Sequence, residues 1–410
     1  MKLVRFTLKM ILAANVLLIT GNDLQAQEHQ KYPAVYTLNA KTLAANKQKI
    51  KAGNPSLLPA YKKLLNDADK ALQFKPVSVM EKKNNPPSGN KHDYMSIAPY
   101  FWPDSSKPGG VPYMNKDGQI NPEVNEYKDK IYLAALCDEV STLALAWYFT
   151  GEERYAGHAS KLLRVWFLDT ATKMNPNINF AQAVKGRATG RGYGLIDTRH
   201  FVRLIDAIGL IQNSSSWTRV DQEGMQKWFA DFLNWMQTSS NGLAEMHTIN
   251  NHRVWYDEQR LSYALFIGDT SLAKKVVEET KEQLEKQMAT DGTFPLEMKR
   301  TISLHYTVFI LDPFFTTADL AENVGEDLWN YETPDGKSLR MGFEAVLPYL
   351  LQKKEWIGQQ IKPFDYEEAI PILIQGAKHY HCESCKQQVN KIAGDAASTL
   401  RLHLLTDVSF

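Results

Sequence analysis

Apolar residues recur at three- and four-residue spacing through most of the chain. They mark 131–150 (Ile131, Leu133, Leu136, Val140, Leu143, Leu145, Trp147), 156–168, 198–212, 221–237 and 340–352. That is the period of helices with one buried stripe. Strand-like alternation is sustained nowhere, so the pattern predicts an all-α protein. A weak repeat accompanies it. The segments around Gly151 (ALAWYFTGEERYAGHASKLL) and Gly268 (SYALFIGDTSLAKKVVEETKEQL) each read as helix, glycine turn, helix, and DAIGLIQNSSSWTRVDQEGMQKWF is a looser third copy. Helical hairpins of this length pack side by side and close into an (α/α) toroid, or an incomplete barrel, around a central cleft; an open solenoid is the competing arrangement.

Between the hairpins lie loops rich in aromatics, Gly and Pro: His92 to Pro103 (HDYMSIAPYFWP), its continuation SSKPGGVPYMNKDGQINPE, and KGRATGRGYGLIDTRH ending at His200. Long ordered loops on a rigid scaffold tend to carry function. No charged or low-complexity linker divides the chain, which predicts a single domain over 27–410.

The N-terminus departs from the helical pattern. Lys2, Arg5 and Lys9 precede an apolar run, Met10 to Ile19, and then a small-residue site ending at Ala26. This reads as a signal peptide over 1–26, cleaved before Gln27, and predicts a periplasmic or secreted protein. The run is short for a membrane span and no later stretch approaches the required length, so no membrane insertion is expected. The 47 Lys+Arg balance the 46 Asp+Glu, so the molecule as a whole collects neither nucleic acid nor an anionic membrane. A polyanion would have to be held by a local cluster of cations. The cysteines are Cys137, Cys382 and Cys385. In His379-Tyr-His-Cys-Glu-Ser-Cys385 a metal cluster lacks a second ligand pair at the usual spacing, so a local disulfide or a pair of thiols at a helix end is preferred, with no metal and no cofactor expected. Neither a phosphate-binding loop nor a zinc-protease motif occurs, and the GRATGRGYG run has no preceding strand to make a dinucleotide site.

Two segments stand out chemically. In Ile249-Asn-Asn-His-Arg-Val-Trp-Tyr256, amides and an imidazole cluster at a helix start, where burial is costly unless each finds a partner. A plain helix cap by Asn250 or Asn251 is the simpler explanation. In Pro295-Leu-Glu-Met-Lys-Arg-Thr-Ile-Ser-Leu-His-Tyr306, the three-residue spacing of Arg300, Ser303 and Tyr306 would put them along one side of a helix, a surface Arg beside a core-facing Tyr being the alternative.

Together the Asn-Asn-His-x-x-Trp and Pro-Leu-Glu-x-x-Arg…Leu-x-Tyr runs resemble the signatures of alginate-lyase-type polysaccharide lyases, the α/α-toroid group that includes polysaccharide lyase families 5 and 38. The likeness spans about residues 90–350, and the Tyr-Phe-Trp-Pro and Gly-Arg-Gly loops are similar to that group's cleft loops. It implies that Asn251, His252 and Arg300 neutralise a uronate carboxylate while Tyr306 acts on the proton and the leaving oxygen. The family 5 arginine falls where this chain has Lys299; Arg300 fits the Arg-x-x-Ser-x-x-Tyr pattern of other toroid lyases.

The chemistry asks for these residue types. The C5 proton of a 4-linked uronate leaves only if donors offset the adjacent carboxylate, because the transition state adds charge to the same enolate. Tyr306 then takes the C5 proton as tyrosinate and returns one to O4, provided cationic neighbours lower its pKa. His200, in Asp197-Thr-Arg-His200, is a second candidate base, its opposite position suiting anti elimination; a structural histidine paired with Asp197 is the alternative. Candidate contacts to an anionic polysaccharide are Arg187, Arg191, Arg199, Asn250, Tyr256 and Lys299, with Tyr94, Tyr100, Trp102 and Tyr113 as sugar platforms. The rival readings are a toroidal glycoside hydrolase using Asp197, Asp257 or Glu297 as paired acids and a non-catalytic glycan-binding protein.

Overall fold

A computed structural model describes residues 32–408. The signal peptide expected over 1–26 lies outside the described residues. The helices, in chain order, are α1 (Ala40–Lys51), α2 (Leu58–Ala71), α3 (Lys128–Thr150), α4 (Glu153–Leu163), α5 (Phe201–Ile211), α6 (Arg219–Thr238), α7 (Ser240–Met246), α8 (Asn251–Ile267), α9 (Thr270–Gln287), α10 (Pro295–Met298), α11 (Ser303–Ala321), α12 (Leu339–Leu350), α13 (Ile370–His379), α14 (Glu383–Ala393) and α15 (Leu402–Leu405). Each stretch read from apolar spacing is helical, with 164–168 continuing α4 as a π-helical turn.

The architecture is an (α/α) toroid. Its inner layer runs α3–α5–α8–α11, each packing on the next. These helices are buried nearly all round: α8 buries Asp257, Glu258, Gln259, Arg260 and Ser262 along with its apolar residues. Helices α2, α4, α6, α9 and α12 pack outside them. The repeat glycines end inner helices: Gly151 and Gly268 take left-handed φ values of 78° and 80° that a side chain would strain, and the chain turns back into α4 and α9. Polar contacts fasten the segments at the two ends of the described residues. The Asn46 amide of α1 donates to the carbonyls of Leu404 and Thr406 at 3.2 and 3.0 Å. Buried Asp206 of α5 accepts the backbone N–H groups of Tyr36 and Leu38 at 2.6 and 3.0 Å.

Contrary to the membrane expectation's premise, α3 is long and apolar enough to span a bilayer; the same residues pack in the core here, where α2, α4 and α5 contact it. The strands are confined to the cleft loops. β1 (Met95–Ile97) pairs in parallel with β4 (Phe180–Ala183), and β2 (Phe101–Trp102) pairs antiparallel with β3 (Met114–Asn115). Sequence periodicity misses them because they are two to four residues long. They join the 92–121 and 174–200 loops into one layer at the end of the toroid. Cys382 and Cys385 form a disulfide at the start of α14.

Candidate active site

A cleft of about 730 Å³ opens between this loop layer and the starts of α8 and α11. Asn250 caps α8, its Oδ1 accepting the His252 N–H at 3.3 Å. The capping explanation therefore holds for Asn250, and it releases the next two side chains for other work. Asn251 is buried on the cleft floor, with its N–H and Nδ2 both donating to Glu297 of α10 at 2.8 Å. Burial raises the Glu297 pKa against the pull of these bonds. One Nδ2 hydrogen of Asn251 remains. His252 places Nδ1 2.6 Å from Glu245 of α7, a carboxylate only 1% exposed. That contact fixes the ring and turns the other nitrogen toward the cleft. The edge of Tyr193 meets the same imidazole at 4.5 Å.

Tyr306, in the first turn of α11, donates its hydroxyl to that of Tyr100 at 3.0 Å. The Arg300 guanidinium lies 3.5 Å from its ring centre. Arg300 is itself held by Asp117, to which Nε donates at 3.1 and 3.2 Å and Nη2 more closely. The expectation that cations bring the Tyr306 pKa down is not met. Burial, and then Tyr100, raise it by more than Arg300 lowers it.

Arg191, Arg199 and Lys130 share the cleft wall with Arg300. Arg191 donates to the Gln182 backbone at 3.0 Å and lies over the rings of Phe101 and Tyr193. Its loop reaches this position because Gly190 has no side chain; a Cβ there would stand 1.9 Å from the Asn179 carbonyl. Among the described residues, Asp117 is the one carboxylate on the wall. A near-neutral protein thus concentrates positive charge in one cleft, as a polyanion requires.

Several candidates lie elsewhere. His200 lines a second cavity, its Nδ1 accepting from Arg203 at 3.2 Å; burial, Arg199 and Arg203 push its pKa down to about 3. It therefore neither faces the cleft from the opposite side nor hydrogen-bonds Asp197. That carboxylate accepts from Ser96 at 2.6 Å and pairs with Lys130 at 3.0 Å. Tyr94 is fully buried, its hydroxyl 3.2 Å from Asp197, and Tyr256 is fully buried with its hydroxyl on the Met236 carbonyl. Neither can be a sugar platform or contact. Tyr113 packs with Ala98 and Val184. Trp102 donates to the Gln119 carbonyl outside the cleft lining, and Arg187 and Lys299 are exposed away from it. Of the acids a hydrolase would need, Asp197 is enclosed as described, Asp257 is bonded by Arg253 and Arg260, and Glu297 holds Asn251. None lines the cleft.

Glu245, Asp117, Lys130 and Tyr193 were not singled out from the sequence, and Glu297 was named only as a possible hydrolase acid. Asp117 and Tyr193 both stand inside loops already noted for their aromatics and glycines.

The family comparison fits this geometry. The alginate lyase family pattern matches residues 78–356, which contain every cleft residue named above. The chain belongs to the alginate lyase family. This lyase is 40% identical to the crystal structure of an alginate lyase from Bacteroides ovatus, with a TM-score of 0.87 over 92% of this chain and all of that one. It shares its fold, at 18% identity and a TM-score of 0.57, with alginate lyase A1-III from Sphingomonas species A1, across 92% of this chain and 97% of that chain. A histidine-to-alanine variant of A1-III complexed with a tetrasaccharide superposes with a TM-score of 0.58 at 18% identity, over 93% of this chain and 97% of that one. No curated protein matches the chain in sequence. The enzyme is a polysaccharide lyase.

Proposed function

We propose that the enzyme is exported and cleaves alginate by β-elimination, preferring poly-mannuronate, with Tyr306, His252, Asn251 and Arg300 at the reacting uronate. The observation that carries this reading is the Tyr306 hydroxyl on the wall of the same cleft as Asn251 and His252, in a wall whose one carboxylate is already bonded to Arg300. His252 and the remaining N–H of Asn251 cover the substrate carboxylate, and one such donor is worth about 2.7–4 kcal/mol of transition-state stabilisation. Tyr306 as phenolate takes the C5 proton. The C5–H electron pair becomes the C4=C5 bond, the C4–O4 bond breaks, and O4 takes the proton back from Tyr306, which returns as phenolate. Because the Tyr306 pKa is raised, the base form is scarce near neutrality and activity should climb with pH.

Mannuronate is favoured by the proton geometry. Its H5 and O4 leave from the same face, which one tyrosine serves, whereas guluronate needs a base on the other side. His200, the candidate for that base, faces the second cavity. Glucuronate shares the C4 and C5 configuration of mannuronate and is the closest competitor. The residues 27–410 should be assayed on poly-mannuronate, poly-guluronate and glucuronan by absorbance of the conjugated product, at roughly 235 nm. A rise fastest on poly-mannuronate supports the proposal. Reducing ends without absorbance would replace elimination with hydrolysis, and a faster rise on glucuronan or poly-guluronate would overturn the preference.

A further inference from the structure

We infer that Asp117 is a positioning residue for the elimination: it clamps the Arg300 guanidinium against the face of Tyr306 and offsets its charge, so that Arg300 serves the phenol rather than the substrate carboxylate. The inference rests on the proposed role of Tyr306.

The clamp is built from both sides. Arg300 presents Nε and Nη2 as a fork to the Asp117 carboxylate, the two-point geometry that guanidinium forms and ammonium does not. The same carboxylate accepts the Thr301 backbone N–H and the Thr301 hydroxyl, both at 3.0 Å. The Thr301 hydroxyl also lies 2.9 Å from the Asp117 carbonyl. Close docking is possible because the next residue is Gly118: φ is +74°, and a Cβ there would meet Thr301 Oγ1 at 2.6 Å. A carboxylate held this way is not a loose counter-ion awaiting displacement.

The turn that carries Asp117 also braces the other partner of Tyr306. The Lys116 N–H donates to the Tyr100 carbonyl at 2.7 Å, and the Asn121 N–H to the Pro99 carbonyl at 2.7 Å. One loop therefore delivers both the hydroxyl that meets the Tyr306 oxygen and the carboxylate that aims Arg300 at its ring. The charged and titratable groups facing Tyr306 are Tyr100 from this loop layer, Arg300 and Asp117, and His305 from its own helix, edge-on at 5.0 Å. With Arg300 paired, the unpaired work at the uronate carboxylate falls to His252 and Asn251.

The sign of the electrostatic effect follows from charge. Asp117 raises the Tyr306 pKa and Arg300 lowers it. In Asp117→Asn, which keeps the shape and an acceptor, the opposing charge is gone. The acid limb of the kcat/KM profile should then move to lower pH, by at least about half a unit. At the highest pH assayed, kcat should fall about tenfold as the fork loosens, with KM within about threefold of the parent. Asp117→Glu should not reproduce the shift, because it keeps the charge. Arg300→Lys, which keeps a cation and loses the fork, should lower kcat and leave KM within about threefold. A superimposable pH profile for Asp117→Asn, or a KM that falls with kcat unchanged, would overturn the inference, the latter by making Asp117 a stand-in for the substrate. A roughly tenfold rise in KM for Arg300→Lys would do the same by returning Arg300 to the carboxylate. Tyr306→Phe separates the two levels: if it stays active the elimination role of Tyr306 fails, and if it is dead while Asp117→Asn is silent only the clamp fails.

Discussion

Two cavities of similar size, about 730 and 670 Å³, share a wall made by Arg199, His305 and Phe309, and they place their acidic groups in opposite ways. In the cleft, Glu245 and Glu297 sit behind donors, holding His252 and Asn251 so that these face the opening, while Asp117 holds Arg300. In the second cavity Glu258, Asp312, Asp319 and Glu368 are themselves on the wall. Burial, helped for Glu258 by the Asp312 charge, pushes the pKa values of Glu258 and Asp312 up against Arg199 and Arg203. Volume therefore does not separate a site from a void. What separates them is whether the carboxyl groups lie behind the donors, where they orient them toward the opening, or on the cavity wall itself.

The largest expected effect is at the cleft. Tyr306→Phe should lower kcat by about 10³-fold with a thermal midpoint within a few degrees of the parent, read by product absorbance and calorimetry. In the parent, kcat/KM should rise with pH, since the base is a phenol whose pKa is raised by burial and by Tyr100. A flat profile through the alkaline range would mean that another group takes the proton.

Next comes the acid behind the donor. Glu245→Gln keeps the shape but removes the charge that orients His252, and kcat should fall about 10²-fold with little change in KM. Equal activity would show that His252 needs no such partner and would dissolve the contrast between the cavities.

The second cavity should answer in stability instead. Glu258 has a folded pKa above its unfolded value, so its contribution is fully present below the unfolded pKa and is lost as pH rises through the folded one. Glu258→Gln should leave activity within about twofold and flatten the fall in thermal midpoint toward alkaline pH. A loss of activity matching that of Glu245→Gln would join the second cavity to the chemistry. The smallest effect belongs to His200→Ala, expected within about 1.5-fold of parental kcat on every uronate polymer because the ring faces away from the cleft. A selective loss on poly-guluronate would restore it as the opposite-face base.

The reactive residues were easier to read than their supports. Asn251, His252 and Tyr306 are legible because they stand in two runs, Asn-Asn-His-x-x-Trp and Pro-Leu-Glu-x-x-Arg…Leu-x-Tyr, that resemble lyase signatures. Glu245 and Asp117 are ordinary surface-type residues in sequence and Glu297 reads there as a possible hydrolase acid rather than a support; Glu297 and Asp117 lie 46 and 183 positions from the groups they hold. No local pattern encodes such a pairing. The misplaced aromatics have a related cause: Tyr94 and Tyr256 sit in the right segments, but packing turned them inward to Asp197 and Met236.

The sequence by itself determined what depends on near neighbours: helices from a 3.6-residue period, hairpin turns at Gly151 and Gly268, and a reactive cluster at two helix starts. Tertiary structure alone decided what depends on distance in space. It put His200 on the far side of a shared wall, raised the Tyr306 pKa by burying it beside Tyr100, and set Asp117 against Arg300. Periodicity is fixed by bonds along the chain, whereas burial and charge pairing arise only when distant segments meet, so neither the orientation of a side chain nor its proton affinity is written locally.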